Sequence, residues 1–218
     1  MTNKFVLACG VLVIVGHSLH SQSYTQIVEI VQRFISPGAS MVQLTKADPI
    51  SGDVIQKEPA AFQLQGQFVR PDIAFAENTA VNKGANHILS INILRPEGDG
   101  YRIVFTKTYY DRVIFAQNFK TIGFQEIKLS DGRVGMLVIT SSGASLGGDP
   151  EIFTWEEGVG YVNVIPPEVG GGYHFLWADD RGKLRLQISY SKGKYDTNAP
   201  PAVLLIWNDH TNKMEIVK

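Results

Sequence analysis

Apolar positions fall into three patterns along the chain. Residues 5 to 15 read Phe-Val-Leu-Ala-Cys-Gly-Val-Leu-Val-Ile-Val without a break, just after Lys4. A basic residue, an apolar core of about 7 to 15 residues and a small polar stretch make up a secretory leader. The polar stretch here is Gly16-His17-Ser18-Leu19-His20-Ser21-Gln22-Ser23. The run is too short for a bilayer-spanning helix, which takes roughly 20 apolar residues. Residues 1–22 are therefore expected to be a signal peptide, cleaved near residues 18–23. The product is then secreted or periplasmic, with no membrane span left.

The second pattern covers residues 23–36. Ile27, Ile30, Val31, Phe34 and Ile35 recur at helical spacing, with Glu29, Gln32 and Arg33 on the other side, and Pro37-Gly38 ends the run. This predicts a short amphipathic helix laid against the rest of the protein. Its polar face is not basic enough for adsorption to a membrane.

From residue 37 to 218 the pattern is that of strands. Leu184, Leu186, Ile188 and Tyr190 alternate with Arg185, Gln187, Ser189 and Ser191, a period of two that marks one buried face. Tyr101, Ile103 and Phe105 alternate likewise. Met136 to Ile139 and Val203 to Trp207 are continuous apolar runs, as in strands buried on both faces. No second long helical pattern occurs, which predicts an all-β domain.

Three stretches share an order of features: Arg70 to Phe75, Arg133 to Val138 and Lys183 to Ile188. Each has a basic residue followed by apolar residues at the third and fifth positions beyond it. Seventeen residues after each basic residue stand His87, Pro150 and Pro200, each opening another apolar strand, and a turn and a last strand follow. The basic residues lie 63 and 50 positions apart. Repeats of this length built from several strands predict antiparallel propeller-like units, three recognisable and four-stranded, with Met41 to Lys57 as material for a divergent fourth. One small sheet cannot bury its own faces, so copies stack.

Arg70-Pro71-Asp72-Ile73-Ala74-Phe75-Ala76 and Asp131-Gly132-Arg133-Val134-Gly135-Met136-Leu137-Val138-Ile139 resemble the cores of FG-GAP or VCBS repeats, the blades of integrin-alpha-type propellers. The resemblance extends over about Phe62 to Lys218. It implies a binding or scaffolding role, and in that family an acidic loop before the core strand commonly holds calcium. Such a site needs several oxygens converging on one turn. The matching positions here are Leu64, Gly66, Phe68 and Asp72 in the first segment and Ile127, Leu129, Asp131 and Gly135 in the second. In the third they are Trp177, Asp179, Arg181 and Arg185. One carboxylate per loop is too few in the first two, and arginines repel the ion in the third, so no metal is expected.

Composition narrows the chemistry. Lys4 lies in the leader, leaving 19 basic residues against 21 acidic ones, a balance that points to no nucleic-acid partner. The sole cysteine, Cys9, is also in the leader, so the mature chain has no disulfide. His87, His174 and His210 are not at metal-ligand spacing. Thr140 to Gly148 is a small-residue loop, lacking both the Gly-x-Ser-x-Gly spacing of a nucleophile elbow and the Lys-Ser/Thr ending of a phosphate loop. No cofactor is expected. Glu156-Glu157 after Trp155 and Asp179-Asp180 after Trp177 are the remaining acids near aromatic rings, the materials of a glycosidase, but such adjacent acids read as turn residues. Trp155 and Trp207 occupy comparable places in their units, which favours core packing.

The region around Gly170-Gly171-Gly172 is where a ligand surface is expected first, with Tyr173, His174, Trp177, Asp179 and Asp180 as ligand-binding residues and no catalytic residue assigned. The favoured function is an exported non-enzymatic binding or scaffolding protein, its partner a protein or a carbohydrate. The alternative is a secreted hydrolase acting on carbohydrate. Three units are fewer than a closed propeller uses, so the sheets either form an open stack or close as a homodimer.

Overall fold

The computed structural model describes residues 22–47, 54–65, 70–80, 87–117, 120–121, 123–130, 132–142, 147–180, 183–190 and 198–217. The apolar run and Cys9 lie outside them. Helix α1 (Tyr24–Gln32) is followed by strands throughout. Ser23 caps it: Gln26 N–H donates to Ser23 Oγ, and Ser23 N–H donates back to Gln26 Oε1. The helix ends at Gln32, with Arg33 as its C-cap, one turn before Ser36. There the chain is redirected by Glu77, whose buried carboxylate accepts from both the N–H and the Oγ of Ser36 at 2.8 Å. No helix among the described residues is long and apolar enough to cross a membrane.

The first sheet is built from β1 (Ala39–Met41), β4 (Ala61–Leu64), β5 (Asp72–Ala80), β6 (His87–Glu97) and β7 (Gly100–Tyr110), with the hairpin of β2 (Gln43–Ala47) and β3 (Val54–Pro59) inserted between β1 and β4. The stretch from Met41 to Lys57 thus contributes to a two-stranded hairpin, not to a fourth unit. The second sheet repeats the plan. It holds β8 (Val113–Ile114), β11 (Phe124–Ser130), β12 (Arg133–Ser141), β13 (Asp149–Glu156) and β14 (Gly160–Asn163), with a smaller hairpin of β9 (Ala116–Gln117) and β10 (Lys120–Thr121) between β8 and β11. The third sheet is the plain meander β15 (His174–Asp180), β16 (Lys183–Ser189), β17 (Val203–Asn208) and β18 (Lys213–Ile216). All pairings among the described residues are antiparallel.

The insertions share one hydrogen-bond device. In the first sheet Val42 N–H donates to Ala76 O, Ala60 N–H to Val42 O and Ala76 N–H to Ala60 O, at 2.7 to 2.9 Å. In the second, Phe115 N–H donates to Ile139 O, Gly123 N–H to Phe115 O and Ile139 N–H to Gly123 O. Each ring of three bonds lets an edge strand leave the sheet and return with no backbone group of these residues orphaned. Ala76 and Ile139 stand 63 positions apart, the spacing of Arg70 and Arg133.

The sheets stack in chain order, and the register gives the equivalences. Ile73, Met136 and Leu186 pair with Leu94, Phe153 and Leu205. Leu186 and Leu205 face the second sheet, Met136 and Phe153 face the first, and Ile73 and Leu94 face Ile27 and Val31 of α1. The helix thus occupies the place that a preceding sheet would fill. At the other end, Arg185 and Gln187 are exposed where the second sheet carries buried Gly135 and Leu137, so the outer face gains polar residues, although Leu176 opposite Gln187 is exposed there too. The partners Leu94, Phe153 and Leu205 lie 24, 20 and 22 residues after their basic residues, so His87, Pro150 and Pro200 are not equivalent despite their equal spacing.

The first two sheets are also joined at β11, where Glu126 accepts the Gln65 N–H. Burial pushes this carboxyl above its ordinary value of 4.5, against the Gln65 N–H and Lys128, which pull it down. A carboxyl raised on folding stabilises the fold below its unfolded pKa, and that contribution fades as pH rises through the folded value. Glu126→Gln is therefore expected to gain in Tm relative to the parent as pH rises from about 4 to neutrality. Melting curves across a pH series test this; parallel profiles would sink it.

Candidate functional site

Among the described residues, the third sheet departs from the other two at its first edge. Ala60 and Gly123 pair with Ala76 and Ile139 and receive a returning hairpin; the equivalent His174, opposite Ser189, follows an irregular segment, residues 164–173, with no hairpin. Here Tyr173 N–H donates to Ser189 O at 2.8 Å, and Gly172 pairs reciprocally with Gly148, N–H to O in both directions at 2.8 and 2.9 Å. The segment before β15 is thereby clipped to the start of β13 in the neighbouring sheet.

A cleft of about 290 Å³ opens at this junction, lined by Arg112, Gly147, Gly148, Asp149, Gly171, Gly172 and Tyr173. Arg112 is held by its backbone. Asp111 is left-handed, with φ of 52°, and its N–H donates to His87 O at 3.0 Å. The His87 Nε2–H donates in turn to Arg112 O at 2.8 Å, which settles the protonated nitrogen because a carbonyl only accepts. A left-handed aspartate is uncommon outside such pinned turns. The guanidinium then reaches Asp149 in an ion pair, the two side chains 36% and 49% exposed, so both charges border solvent.

Gly171 makes room for that carboxylate. A Cβ at this position would lie 2.3 Å from Asp149 Oδ1 and 2.8 Å from Gly148 O. Only glycine allows the two loops to close so tightly.

Among the residues expected from sequence, Tyr173 lines the cleft. His174 and Trp177 differ by an odd number of strand positions and so lie on opposite faces of β15. Trp177, roughly 13 Å along the strand from Tyr173, packs against the core between the second and third sheets. Asp179 and Asp180 are strand residues opposite Leu184 and Lys183, and their side chains lie outside the described residues. Gly143 to Leu146 of the small-residue loop lie outside them too. Glu156 ends β13, and Glu157 precedes Gly158 in an exposed turn. His210 sits in the Asn208 to Asn212 turn, its N–H donating to Asn208 Oδ1 at 2.8 Å.

Arg112 and Asp149 are the residues that sequence reasoning missed. They are 37 positions apart, Arg112 in the turn before β8 and Asp149 opening β13, two strands that flank β12 in the second sheet, so no local spacing links them. The one legible signal is the pair of glycine clusters, Gly147-Gly148 and Gly170-Gly171-Gly172, which mark close backbone approach as readily as a flexible loop.

A second pair of acids is close by. Asp149 and Glu151 lie on the same face of β13, about 7 Å apart along the strand. Glu151 accepts from Tyr109 and from Asn163, with Lys107 Nζ at 3.8 Å. Burial, then this hydrogen bond and charge, push the Tyr109 hydroxyl well above its ordinary range.

No protein-family model, no curated protein and no solved structure matches the chain.

Proposed function

We propose that the chain is an exported binding protein that holds a small ligand between its second and third sheets and performs no reaction on it, on a scaffold of degenerate FG-GAP/VCBS-like repeats. The leader-like run at Phe5 to Val15, followed by a cysteine-free chain, supports export. One observation carries the binding reading: among the described residues, the cleft lies where the third unit lacks the edge-strand hairpin of the first two. Departures from a repeated local rule concentrate at functional sites.

The hydrolase reading draws on Asp149 and Glu151, two acids on the same face of β13. Against it, only Asp149 lines the cleft, and Glu151 is held by Tyr109, Asn163 and Lys107.

The test is a thermal-shift screen of the purified mature chain against small metabolites, sugars and short peptides, with chromogenic glycosides assayed in parallel. The expected result is a ligand that raises Tm in the parent and not in Tyr173→Ala, with no glycoside cleaved. Cleavage abolished by Asp149→Asn would overturn the non-enzymatic reading. Mass spectrometry of the mature terminus checks export; cleavage should fall before Gln22, earlier than the residue-22 boundary expected from sequence, because Gln22 Oε1 accepts from Tyr101 and Gln63.

A further inference from the structure

We infer that the cleft selects a neutral sugar ring over any charged ligand, an inference that rests on the binding reading above. Its wall is an ion pair, not a lone charge: Arg112 is matched by Asp149. A free anion meets the carboxylate as well as the guanidinium, and a free cation meets the guanidinium as well as the carboxylate. Neither gains what an unpaired charge would offer.

A vicinal diol suits such a wall. Guanidinium N–H groups only donate and a carboxylate only accepts, whereas each hydroxyl does both. Two neighbouring hydroxyls can therefore accept from Arg112 and donate to Asp149 together, through charge-assisted bonds. The rest of the lining is largely glycine backbone. Gly148 O and Gly172 O each accept one bond from the other loop, and a carbonyl has a second lone pair for a further hydroxyl. Tyr173 adds the aromatic surface on which the C–H face of a sugar ring packs.

Size limits the ligand. Drug-sized ligands use pockets of about 300 to 1,000 Å³, and this cleft stands at the lower edge, which favours one ring over a chain.

The test is saturation-transfer NMR and calorimetry on the mature chain. Glucose, galactose, mannose and N-acetylglucosamine serve as neutral probes, and glucuronate, glucosamine and inorganic phosphate as charged ones. At least one neutral sugar is expected to bind, with an affinity that changes little with salt, since no net charge is neutralised. Arg112→Ala and Tyr173→Ala should each weaken it about tenfold or more. Tyr110→Ala changes an exposed residue outside the cleft lining and should bind as the parent does. Arg112→Ala keeps the test decisive if Tyr173→Ala does not fold.

Binding of a charged probe alone, lost in the same variants, would overturn the inference and leave the binding reading standing. Silence from every sugar overturns the inference as well; the binding reading falls only if the wider metabolite screen is also silent. Binding that survives both alanine substitutions would place the sugar elsewhere and overturn the inference too.

Discussion

Asp72→Ala is expected to destabilise the protein by about 3 to 5 kcal/mol. Asp72 is fully buried, and its carboxylate holds the first two sheets together. Arg95 reaches it from the next strand with Nε at 3.1 Å and Nη2 at 2.8 Å, and Tyr161 of the second sheet donates its hydroxyl at 2.7 Å. The guanidinium also lies over the Trp155 ring, 3.8 Å from its centroid. Truncating Asp72 therefore leaves a largely buried cation and a buried hydroxyl without their shared acceptor, the costly way to break such a group. Asp72→Asn keeps an oxygen for Tyr161 and should lose less. Denaturant unfolding measures both, and a double-mutant cycle with Tyr161→Phe isolates the inter-sheet bond. A loss below about 1 kcal/mol for the alanine would mean that the sheets are not joined through this group.

Asp72 also bears on the family resemblance. It was the only carboxylate at the matching calcium positions of the first segment, and it is committed to Arg95 and Tyr161. Burial, and then the Asp72 charge, push the Tyr161 hydroxyl far above its ordinary range, so it remains a donor at any ordinary pH. The aspartate in that segment serves the joint between sheets.

Why some elements are legible in sequence and others are not follows from how many faces each buries. Strand β16 has one buried face, so Leu184, Leu186 and Ile188 alternate with exposed Arg185 and Gln187 and the strand reads directly. Strand β12 lies between two sheets, so Val134 to Ile139 read as an apolar run. Strand β7 defeats a period-two reading. A bulge at Val104 puts Ile103 opposite Leu94 and Phe105 opposite Ile93, so Tyr101 packs on the helix side while Phe105 turns to the second sheet. A bulge adds one residue and reverses the alternation beyond it, with no mark in composition. The cleft was half legible for a related reason. Glycine clusters announce close approach, but Arg112 and Asp149 meet only because β8 and β13 both border β12 in the second sheet, a pairing that no local spacing shows.

Trp207→Ala should cost a similar amount, about 3 to 5 kcal/mol, and would test the stacking of the third sheet. Trp207 is 1% exposed and packs with Leu186, Ile188 and Leu205 against Leu129 and Leu137 of the second sheet. Its register places it two residues beyond Leu205, as Trp155 stands two beyond Phe153, so the two tryptophans are equivalent and each faces the preceding sheet. The burial differs, because Trp155 is only half-buried under Arg95. Truncation at 207 therefore removes a whole indole from a closed interface and leaves a void that neighbouring strands cannot fill without moving. Trp207→Phe keeps most of the volume but forfeits the Nε1–H bond to Asp209, so a smaller loss is expected. Calorimetric melting of the two variants checks the order. A near-neutral alanine variant would mean that the third sheet does not pack on the second, and the cleft between them would lose its floor.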